Sequence, residues 1–259
     1  MGPATIEVVY RYLSAVFRAA VADRMLNASP CVGIKLPKID HKRVVPLTVE
    51  QVENLAAAMP DRYRALVVLG AGTGLRQGEA FGLTVDRVNF LGRKLTVDRQ
   101  LVLMPGRGPE FAPPKTDASN RVVPLPETVA EALAAHLAKW PAGEDGLLFT
   151  NDRGEPIQRP RFSEFWRPAR EAVGLPKDRT FHDLRHFYAS LLIRHGESVK
   201  VVQERLGHAS AAETLNTYSH LWPDSEDRTR AAVDEVLGSH VVPPMCHESS
   251  SARKQAGQT

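Results

Sequence analysis

Residues 207–220 read GHASAAETLNTYSH, and this stretch carries the most informative pattern in the chain. Gly207 has the position of a glycine that ends a helix, and His208 follows it directly. Tyr218 stands ten residues after His208, at the far end of a second predicted helix. Alone, a tyrosine in that place is better explained as a packed aromatic side chain. Its interpretation therefore depends on what the rest of the chain supplies.

A second cluster lies upstream, where residues 181–187 read FHDLRHF. His182 and Arg185 are three residues apart, which places both on one face of a helix. A histidine exchanges protons near neutral pH, and an arginine binds phosphate oxygens. The structural alternative is helix capping with a surface ion pair to Asp183. His186 fits a buried structural role equally well and is left outside the candidate site.

Two more basic residues complete the candidate set. Arg76 lies in residues 73–79, TGLRQGE, just before a predicted helix whose start adds positive potential. Lys115 lies on a predicted hairpin turn in residues 113–121, where a flexible lysine could protonate a leaving oxygen. The plain alternatives are a surface arginine after a helix cap and a solvated turn lysine. Glu79 fits a solvated helix charge or a partner that orients a neighbouring side chain.

Together these residue types favour one substrate chemistry. Guanidinium groups match phosphate oxygens in a bidentate geometry, and a phenol can attack phosphorus as a covalent nucleophile. A tyrosine with two arginines and several histidines suits a phosphodiester better than a sugar or a peptide. Zinc is the rival explanation for the histidines, but their spacing matches no common zinc motif and no cysteine or clear carboxylate accompanies them. A zinc site is therefore not expected at these histidines.

Bulk properties set wide limits on the function. The chain has 259 residues, 43% hydrophobic content and a mean hydropathy of −0.25, values typical of a soluble globular protein. It shows neither a long apolar run nor a signal peptide, so a cytoplasmic protein without membrane contacts is predicted. The chain has only two cysteines, so a disulfide framework is not expected. A net charge of +3 permits nucleic-acid binding without demonstrating it.

The pattern along the chain predicts an α+β fold that is mainly helical. Apolar residues at helical spacing predict an amphipathic helix over 4–26, and a basic, Pro-bracketed linker follows at 30–45. The positive charge of this linker would suit contact with a phosphate backbone. The alternative is a linker that is exposed to solvent and binds nothing. Residues 48–51, TVEQ, predict a capping box that opens a helix through about residue 59. Further helices are predicted at 61–71, 77–83, 126–139, 160–173, 182–195, 198–206, 210–219 and 223–237.

Between these helices the pattern changes to short β-rich runs. The runs 87–90, 94–102 and 121–125 predict a small antiparallel sheet of three strands. After Gly238 the composition is rich in Ser, His and Gln, so residues 238–259 are predicted to form a disordered tail.

As a set, the motifs resemble the catalytic domain of the tyrosine recombinase (phage integrase) family over residues 46–237. The shared motifs occur in family order: T-G-L-R-x-G-E, a turn lysine before a serine and an arginine, H-x-x-R, L-G-H and T-x-x-T-Y-x-H. The residues that carry them here are Arg76, Lys115, His182, Arg185, His208 and Tyr218.

The resemblance implies a role for each of these residues. Tyr218 would be the nucleophile that forms a 3′-phosphotyrosine, and Arg76 and Arg185 would bind the non-bridging oxygens of the scissile phosphate. Such a site needs neither metal nor ATP, because guanidinium groups neutralise the charge and the covalent bond stores the energy of the broken one.

The three remaining residues would handle protons and hydrogen bonds. Lys115 would be the general acid for the departing 5′-hydroxyl, and His182 would be a proton acceptor or acid–base partner. His208 would add a hydrogen bond to the phosphate.

Members of this family place a helical core-binding domain ahead of the catalytic domain, and the two form a C-shaped clamp on DNA. Residues 1–29 resemble only the last helix of such a domain, so a truncated core-binding remnant is expected there. The basic linker 30–45, the catalytic domain 46–237 and the tail 238–259 would follow. Loss of half the clamp would remove phosphate contacts and weaken DNA binding.

The leading hypothesis is a site-specific recombinase or integrase of a phage or other mobile element, encoded by a bacterium or phage and associated with the nucleoid. It would act on double-stranded attachment sites as a homotetramer, with accessory DNA-bending or directionality proteins and with helix 223–237 docked on a neighbouring subunit. One alternative is a catalytically idle, truncated remnant that binds DNA or interferes with a full-length recombinase. A type IB topoisomerase is the third hypothesis.

Overall fold

The computed structural model describes residues 1–39, 43–104, 106–143, 145–222 and 226–241. The chain divides into two compact units, residues 1–45 and 46–259. The fold is mainly helical with small antiparallel sheets, which confirms the predicted α+β class. No helix among the described residues is long and apolar enough to cross a membrane.

The first unit contains helix α1, Pro3–Ala22, which begins with a proline and buries none of its side chains. The predicted end at residue 26 is wrong, because Arg24 adopts a left-handed φ of 57° that breaks the helix. Beyond this turn the chain folds back, and the Tyr10 hydroxyl donates a hydrogen bond to the Cys31 carbonyl.

The second unit holds the remaining helices, and each of their predicted positions is confirmed to within a few residues. The Thr48 capping box opens the first of them as expected, with Gln51 as its partner. Their bounds are α2 Val49–Ala58, α3 Asp61–Thr73, α4 Gln77–Phe81, α5 Glu127–Lys139, α6 Arg159–Ala172, α7 His182–Arg194, α8 Val199–Leu206, α9 Ala211–Tyr218 and α10 Glu226–Val241.

Helix α10 includes the first four residues of the predicted tail, and residues 242–259 of that tail lie outside the described residues. Short 3-10 helices lie at η1 Val85–Arg87, η2 Asp117–Ser119 and η3 Ser219–Leu221.

The described strands form two sheets, where the sequence predicted one. The first sheet has the order β1-β2-β5, and β3 pairs with β4 in a separate antiparallel hairpin. The strand bounds are β1 Val88–Asn89, β2 Lys94–Val97, β3 Gln100–Met104, β4 Gly108–Ala112 and β5 Arg121–Pro124.

The predicted single strand over 94–102 is wrong because the chain leaves the ladder at Asp98. The carboxylate of Asp98 accepts hydrogen bonds from Arg87 Nε at 2.7 Å and Arg99 Nε at 2.9 Å, and aspartate is a poor strand former. Strand β4 was missed because its sequence GPEFA looks like a turn. Its proline is tolerated in a two-stranded hairpin, where a strand has an unpaired edge.

Lys115 does not lie on a hairpin turn, which corrects the prediction for residues 113–121. It lies in the connection between β4 and η2, and this connection passes from one sheet to the other. The segment after Lys115 is anchored at Ser119, which is buried and forms a hydrogen bond with Thr116 at 3.0 Å.

The core of the second unit is built around α3, which contacts α2, α5 and α7. Leu66, Val67 and Leu69 on this helix are completely buried. A group of buried aromatic rings extends the core at the end of α4 and the starts of α6 and α7, with ring centroids 5.2 to 6.4 Å apart in the pairs that include Phe81 or Phe181. The members of this group are Phe81, Phe162, Trp166 and Phe181. The end of α4 and the start of α7 therefore pack on the same group of rings.

Truncating this core should cost much more stability than truncating an exposed leucine. Leu66→Ala should lower the free energy of unfolding by about 2–5 kcal/mol, because the buried side chain leaves a cavity. Urea unfolding followed by circular dichroism measures the loss. Leu91→Ala is the matched control, since Leu91 is fully exposed, and it should change stability by less than about 0.5 kcal/mol. Equal losses in the two variants would contradict this assignment of the core.

Candidate active site

A buried carboxylate organises one side of the site. Glu79 is 3% exposed and pairs with Arg121, whose Nη2 lies 2.8 Å from Oε2. It also pairs with Arg76, whose Nη1 lies 2.9 Å from Oε1, and accepts the Arg76 backbone N–H at 2.9 Å. Burial raises the pKa of Glu79, but the hydrogen bonds and charges of the two arginines outweigh it, so the pKa is lowered from its ordinary value of 4.5. Of the two sequence interpretations of Glu79, the orienting partner is confirmed and the solvated charge is wrong.

The guanidinium of Arg76 is fixed by three different chain segments. Besides Glu79, Nη1 donates to Ser119 Oγ at 3.2 Å and Nη2 donates to the Gly207 carbonyl at 3.1 Å. Its side chain keeps 30% of its surface exposed, which leaves room for a ligand. Arg76 therefore links the start of α4 with the segment that carries Lys115 and with the glycine turn before His208.

Arg185 is buried from solvent, with 1% of its surface exposed. Its Nη1 donates to the Gly74 carbonyl at 2.9 Å, and its Nη2 donates to the Leu206 carbonyl at 2.5 Å. Burial and the positive charges of Arg76 and Arg121 lower the pKa of Arg185 to about 9, so it remains charged at neutral pH. The surface ion pair with Asp183 that the sequence left open is wrong, since Asp183 pairs with Arg179.

Two glycines let the carbonyls reach these arginines. Gly74 and Gly207 end α3 and α8 in the left-handed region, with φ of 65° and 64°. A Cβ on Gly74 would lie 2.5 Å from the Tyr188 ring, and one on Gly207 would lie 3.0 Å from the Ala118 carbonyl. Only glycine therefore combines the required turn with this close packing.

His208 is buried directly after the second of these turns, with 6% of its surface exposed. Its Nδ1 lies 2.8 Å from the Thr214 hydroxyl, and its ring stacks on Tyr218 with a centroid distance of 6.4 Å. Burial, followed by the charges of Arg185 and Arg76, lowers the pKa of His208 to about 3. The ring is therefore neutral at physiological pH and can present one N–H as a hydrogen-bond donor.

Tyr218 ends α9 with 1% of its surface exposed. Its hydroxyl lies 2.7 Å from Nδ1 of His186, and the two rings meet edge to face at 5.6 Å. Burial raises the pKa of Tyr218 to about 12, although Arg185 and Arg76 act in the opposite direction. The sequence predicts no place in the site for His186, yet His186 contacts the hydroxyl of the candidate nucleophile. The motif gave no signal for this contact, because it depends on how α9 packs against α7.

His182 occupies the first position of α7 and is exposed, whereas Arg185 on the same helix is buried. Its ring meets that of His186 edge to face at 4.8 Å. Desolvation against its neighbours, and then the charges of His186 and Arg185, lower the pKa of His182 to about 4. His182 is thus neutral at physiological pH and one ring removed from Tyr218.

The structure brings five of the six predicted residues into one connected cluster, and Lys115 stands apart from it. Its side chain is exposed, and it makes no hydrogen bond or ion pair within the part of the chain that the structure describes. The described residues also contain no group of three or more His, Cys, Asp or Glu side chains arranged to hold a metal ion. The site holds the three arginines Arg76, Arg121 and Arg185 against the single carboxylate of Glu79, and this net positive charge attracts an anion.

The model of the phage integrase family matches residues 46–224. The chain belongs to this family. A XerC-like tyrosine recombinase of Caldanaerobacter subterraneus is 31% identical over 261 residues, which cover 90% of this chain and 66% of that relative. The tyrosine recombinase XerD of Corynebacterium glutamicum is 34% identical over 202 residues, covering 76% of this chain and 61% of its own length. The chain thus spans about three fifths to two thirds of the length of these family members.

A solved structure supports the same family membership. The Tn1549 transposon integrase, in complex with transposon right end DNA, matches with a TM-score of 0.78 and 27% identity. The match covers 92% of this chain and 80% of that one.

The Glu79 pairing predicts a pH-dependent contribution to stability. Because its folded-state pKa lies below the ordinary value of 4.5, the ionised carboxylate stabilises the fold above that pH. The contribution is lost as the pH falls from 4.5 through the lowered pKa. Glu79→Gln should lower the free energy of unfolding by about 3 kcal/mol at pH 7, since it leaves the buried Arg121 without its countercharge.

Urea unfolding at pH 7 and at stepwise lower pH measures this difference, which should shrink as the pH falls. Glu164→Gln is the control, because Glu164 pairs with Arg161 on the exposed face of α6. This substitution should change the free energy of unfolding by less than about 1 kcal/mol. A Glu79→Gln penalty that stays constant with pH would contradict the pairing.

Proposed function

We propose that this chain contains the catalytic domain of a site-specific DNA recombinase or integrase, which cuts and rejoins duplex DNA through a 3′-phosphotyrosine at Tyr218. The main observation behind the proposal is that two arginines and the ring of Tyr218 all contact residues 206–208. Arg185 and Arg76 donate to the carbonyls of Leu206 and Gly207, and the His208 ring stacks on Tyr218. Membership of the phage integrase family and the DNA complex of the Tn1549 integrase support DNA as the substrate.

The two arginines would stabilise the transition state electrostatically. Attack on phosphorus builds negative charge on the non-bridging oxygens, and donors fixed in advance need not reorganise when that charge develops. Arg185 is fixed by two backbone carbonyls, and Arg76 is fixed by Glu79, Ser119 and Gly207. Neutral His208 would add one hydrogen bond to the same phosphate.

Lys115 would protonate the departing 5′ oxygen. Its exposed position on the segment that ends at Ser119 suits a residue that reaches a DNA strand lying on the site. Because Ser119 accepts a hydrogen bond from Arg76 at 3.2 Å, this segment is tied to the phosphate-binding cluster. His182 would act as an acid–base partner at the mouth of the site.

The domain organisation is part of the proposal. Residues 46–237 would form the catalytic domain, the basic segment 30–45 would be a linker, and residues 1–29 would belong to a helical core-binding domain. The division of the chain near residue 46 and the exposed apolar residues of α1, among them Val9, Leu13 and Val16, support this assignment.

We also propose that four copies assemble on DNA and that α10 docks on a neighbouring copy. Its Val233, Val236 and Leu237 are exposed and share one helix face. A largely apolar groove of about 640 Å³ lies between α2, α3, α7 and the start of α5 and is lined by residues such as Val52 and Leu191. Both the groove and this face of α10 are apolar, so each could cover the other in a neighbouring copy.

Replacing the proposed nucleophile should abolish covalent chemistry. Wild-type protein, at high concentration and low salt to favour binding, is incubated with nicked duplexes of randomised core sequence, and covalent adducts are selected and sequenced. Tyr218→Phe should form no adduct on the selected duplex, whereas Arg185→Ala should form it about 10²- to 10³-fold more slowly. Peptide mapping should place the bond on Tyr218.

Tyr12→Phe is the matched control, because Tyr12 is an exposed tyrosine on α1. Salt-dependent DNA binding without an adduct, unchanged by Tyr218→Phe, would contradict the proposal and favour a DNA-binding remnant. Relaxation of a supercoiled plasmid that lacks the selected sequence would favour a topoisomerase instead.

A charge on the docking face of α10 should weaken assembly without altering the fold. Val236→Asp would place a carboxylate in the apolar groove and should reduce the multi-subunit DNA complex about tenfold or more. Ala57→Asp, at an exposed position that lines the groove, should have the same effect. Sedimentation of the protein with the selected duplex measures assembly, with the exposed Leu91→Asp as control. Wild-type assembly by both docking variants would contradict this interface.

A further inference from the structure

The tyrosine hydroxyl is in direct contact with a histidine that no motif assigns. His186 Nδ1 lies 2.7 Å from Tyr218 Oη, a hydrogen-bonding distance between a phenol and an imidazole nitrogen. Among the described residues, no other side chain forms a hydrogen bond with this hydroxyl. His182 is exposed and contacts the ring of His186 rather than Tyr218. His186 is therefore the histidine placed to receive a proton from the nucleophile.

We propose that His186 is the catalytic proton acceptor for Tyr218, an assignment that rests on the proposed recombinase function. It replaces His182 in that role and leaves His182 as a neighbour of the proton acceptor. The position supports this step, because His186 is half-buried on α7 directly after the phosphate-binding Arg185. One helix would thus supply both a phosphate ligand and the base.

The proton balance of the step closes without any further reactant. Tyr218 Oη forms a bond to phosphorus as the bond from phosphorus to the 5′ oxygen breaks. The phenol proton passes to Nδ1 of His186, and Lys115 gives a proton to the leaving 5′ oxygen. In the second half an incoming 5′-hydroxyl returns a proton to Lys115, and the departing phenol oxygen takes its proton back from His186.

The protonation states at neutral pH agree with this direction of transfer. The raised pKa of Tyr218, about 12, keeps the phenol protonated, so attack requires a base. Burial lowers the pKa of His186, Asp183 raises it, and Arg185 and Arg179 lower it further, so the ring is neutral and has a free lone pair. The carboxylate of Asp183 would then stabilise the imidazolium that forms.

Other titratable groups also face His186 and belong in any interpretation of its pH dependence. They are His182 on the same helix and Tyr218 on α9. His220 lies on η3, an element that packs against α7.

The tautomer of His186 tests the geometry even in the absence of turnover. If the phenol donates to Nδ1, the proton of the neutral ring must lie on Nε2. Nitrogen-15 NMR of histidine-labelled protein distinguishes the two tautomers, and the His186→Ala variant assigns the signals. We expect an unprotonated Nδ1 whose shift changes in Tyr218→Phe. A proton on Nδ1 would overturn the proposal, whatever the activity of the protein.

Kinetics on the selected nicked duplex test the chemical role. His186→Ala should form the adduct about 10²- to 10⁴-fold more slowly than wild type, the range of a general base. Its rate should rise with pH, because solvent must now remove the phenol proton, and added imidazole should restore part of the rate. A merely structural role for His186 predicts neither the altered pH profile nor the rescue.

The controls separate the two claims. His195→Ala removes an exposed histidine at the other end of α7 and should keep the wild-type rate and pH profile. If wild type forms a Tyr218 adduct and His186→Ala forms it equally fast, this inference fails while the proposed function stands. If wild type forms no adduct with any duplex, the proposed function fails, and the tautomer measurement still decides the contact.

Discussion

The candidate site depends on holding three arginines close together, and a buried carboxylate makes this arrangement stable. Glu79 pairs with Arg76 and Arg121, whose charges would otherwise repel each other and that of Arg185. The third arginine is held by backbone carbonyls at the ends of α3 and α8, which carry partial negative charge. Arg185 and Arg121 are almost fully buried, so little water screens their charges. Burying these like charges costs free energy through desolvation and repulsion, and the result is a set of hydrogen-bond donors that are already oriented.

Desolvation and this excess of positive charge together set the protonation state of the neighbouring histidine rings. Desolvation by neighbouring groups, followed by nearby positive charges, lowers the pKa of His182 and of the buried His208 far enough to keep both neutral. A neutral imidazole can accept a proton or donate a single hydrogen bond, which suits groups that act beside a phosphate. The arginines Arg185 and Arg76 oppose the effect of burial on the pKa of Tyr218, so they would favour the ionised phenol in the proposed attack. One electrostatic arrangement therefore affects the proposed phosphate site, the histidines and the proposed nucleophile together.

Much of this arrangement could be predicted from local sequence signals. Helical periodicity, the Thr48 capping box and the helix-ending glycines Gly74 and Gly207 are short-range patterns, and the structure confirms the helices that they predict. The strands were harder to predict than the helices. The end of β2 at Asp98 depends on arginines that only folding brings close, and the glycine and proline of β4 are residues more typical of turns. Long-range contacts had no local signature. The bond from Glu79 to Arg121 joins residues 42 apart, and the one from His186 to Tyr218 joins residues 32 apart.

The arginine cluster is proposed to be a phosphate site, and its positive charge adds to desolvation in lowering the pKa of His182 and His208. The most direct test of this proposal is an NMR titration of His182 in sulfate and in chloride at matched ionic strength. A doubly charged tetrahedral anion bound between Arg76 and Arg185 would cancel the positive field, so the pKa of His182 should rise from about 4 in sulfate. A pKa of His182 that is the same in sulfate and chloride would contradict the account.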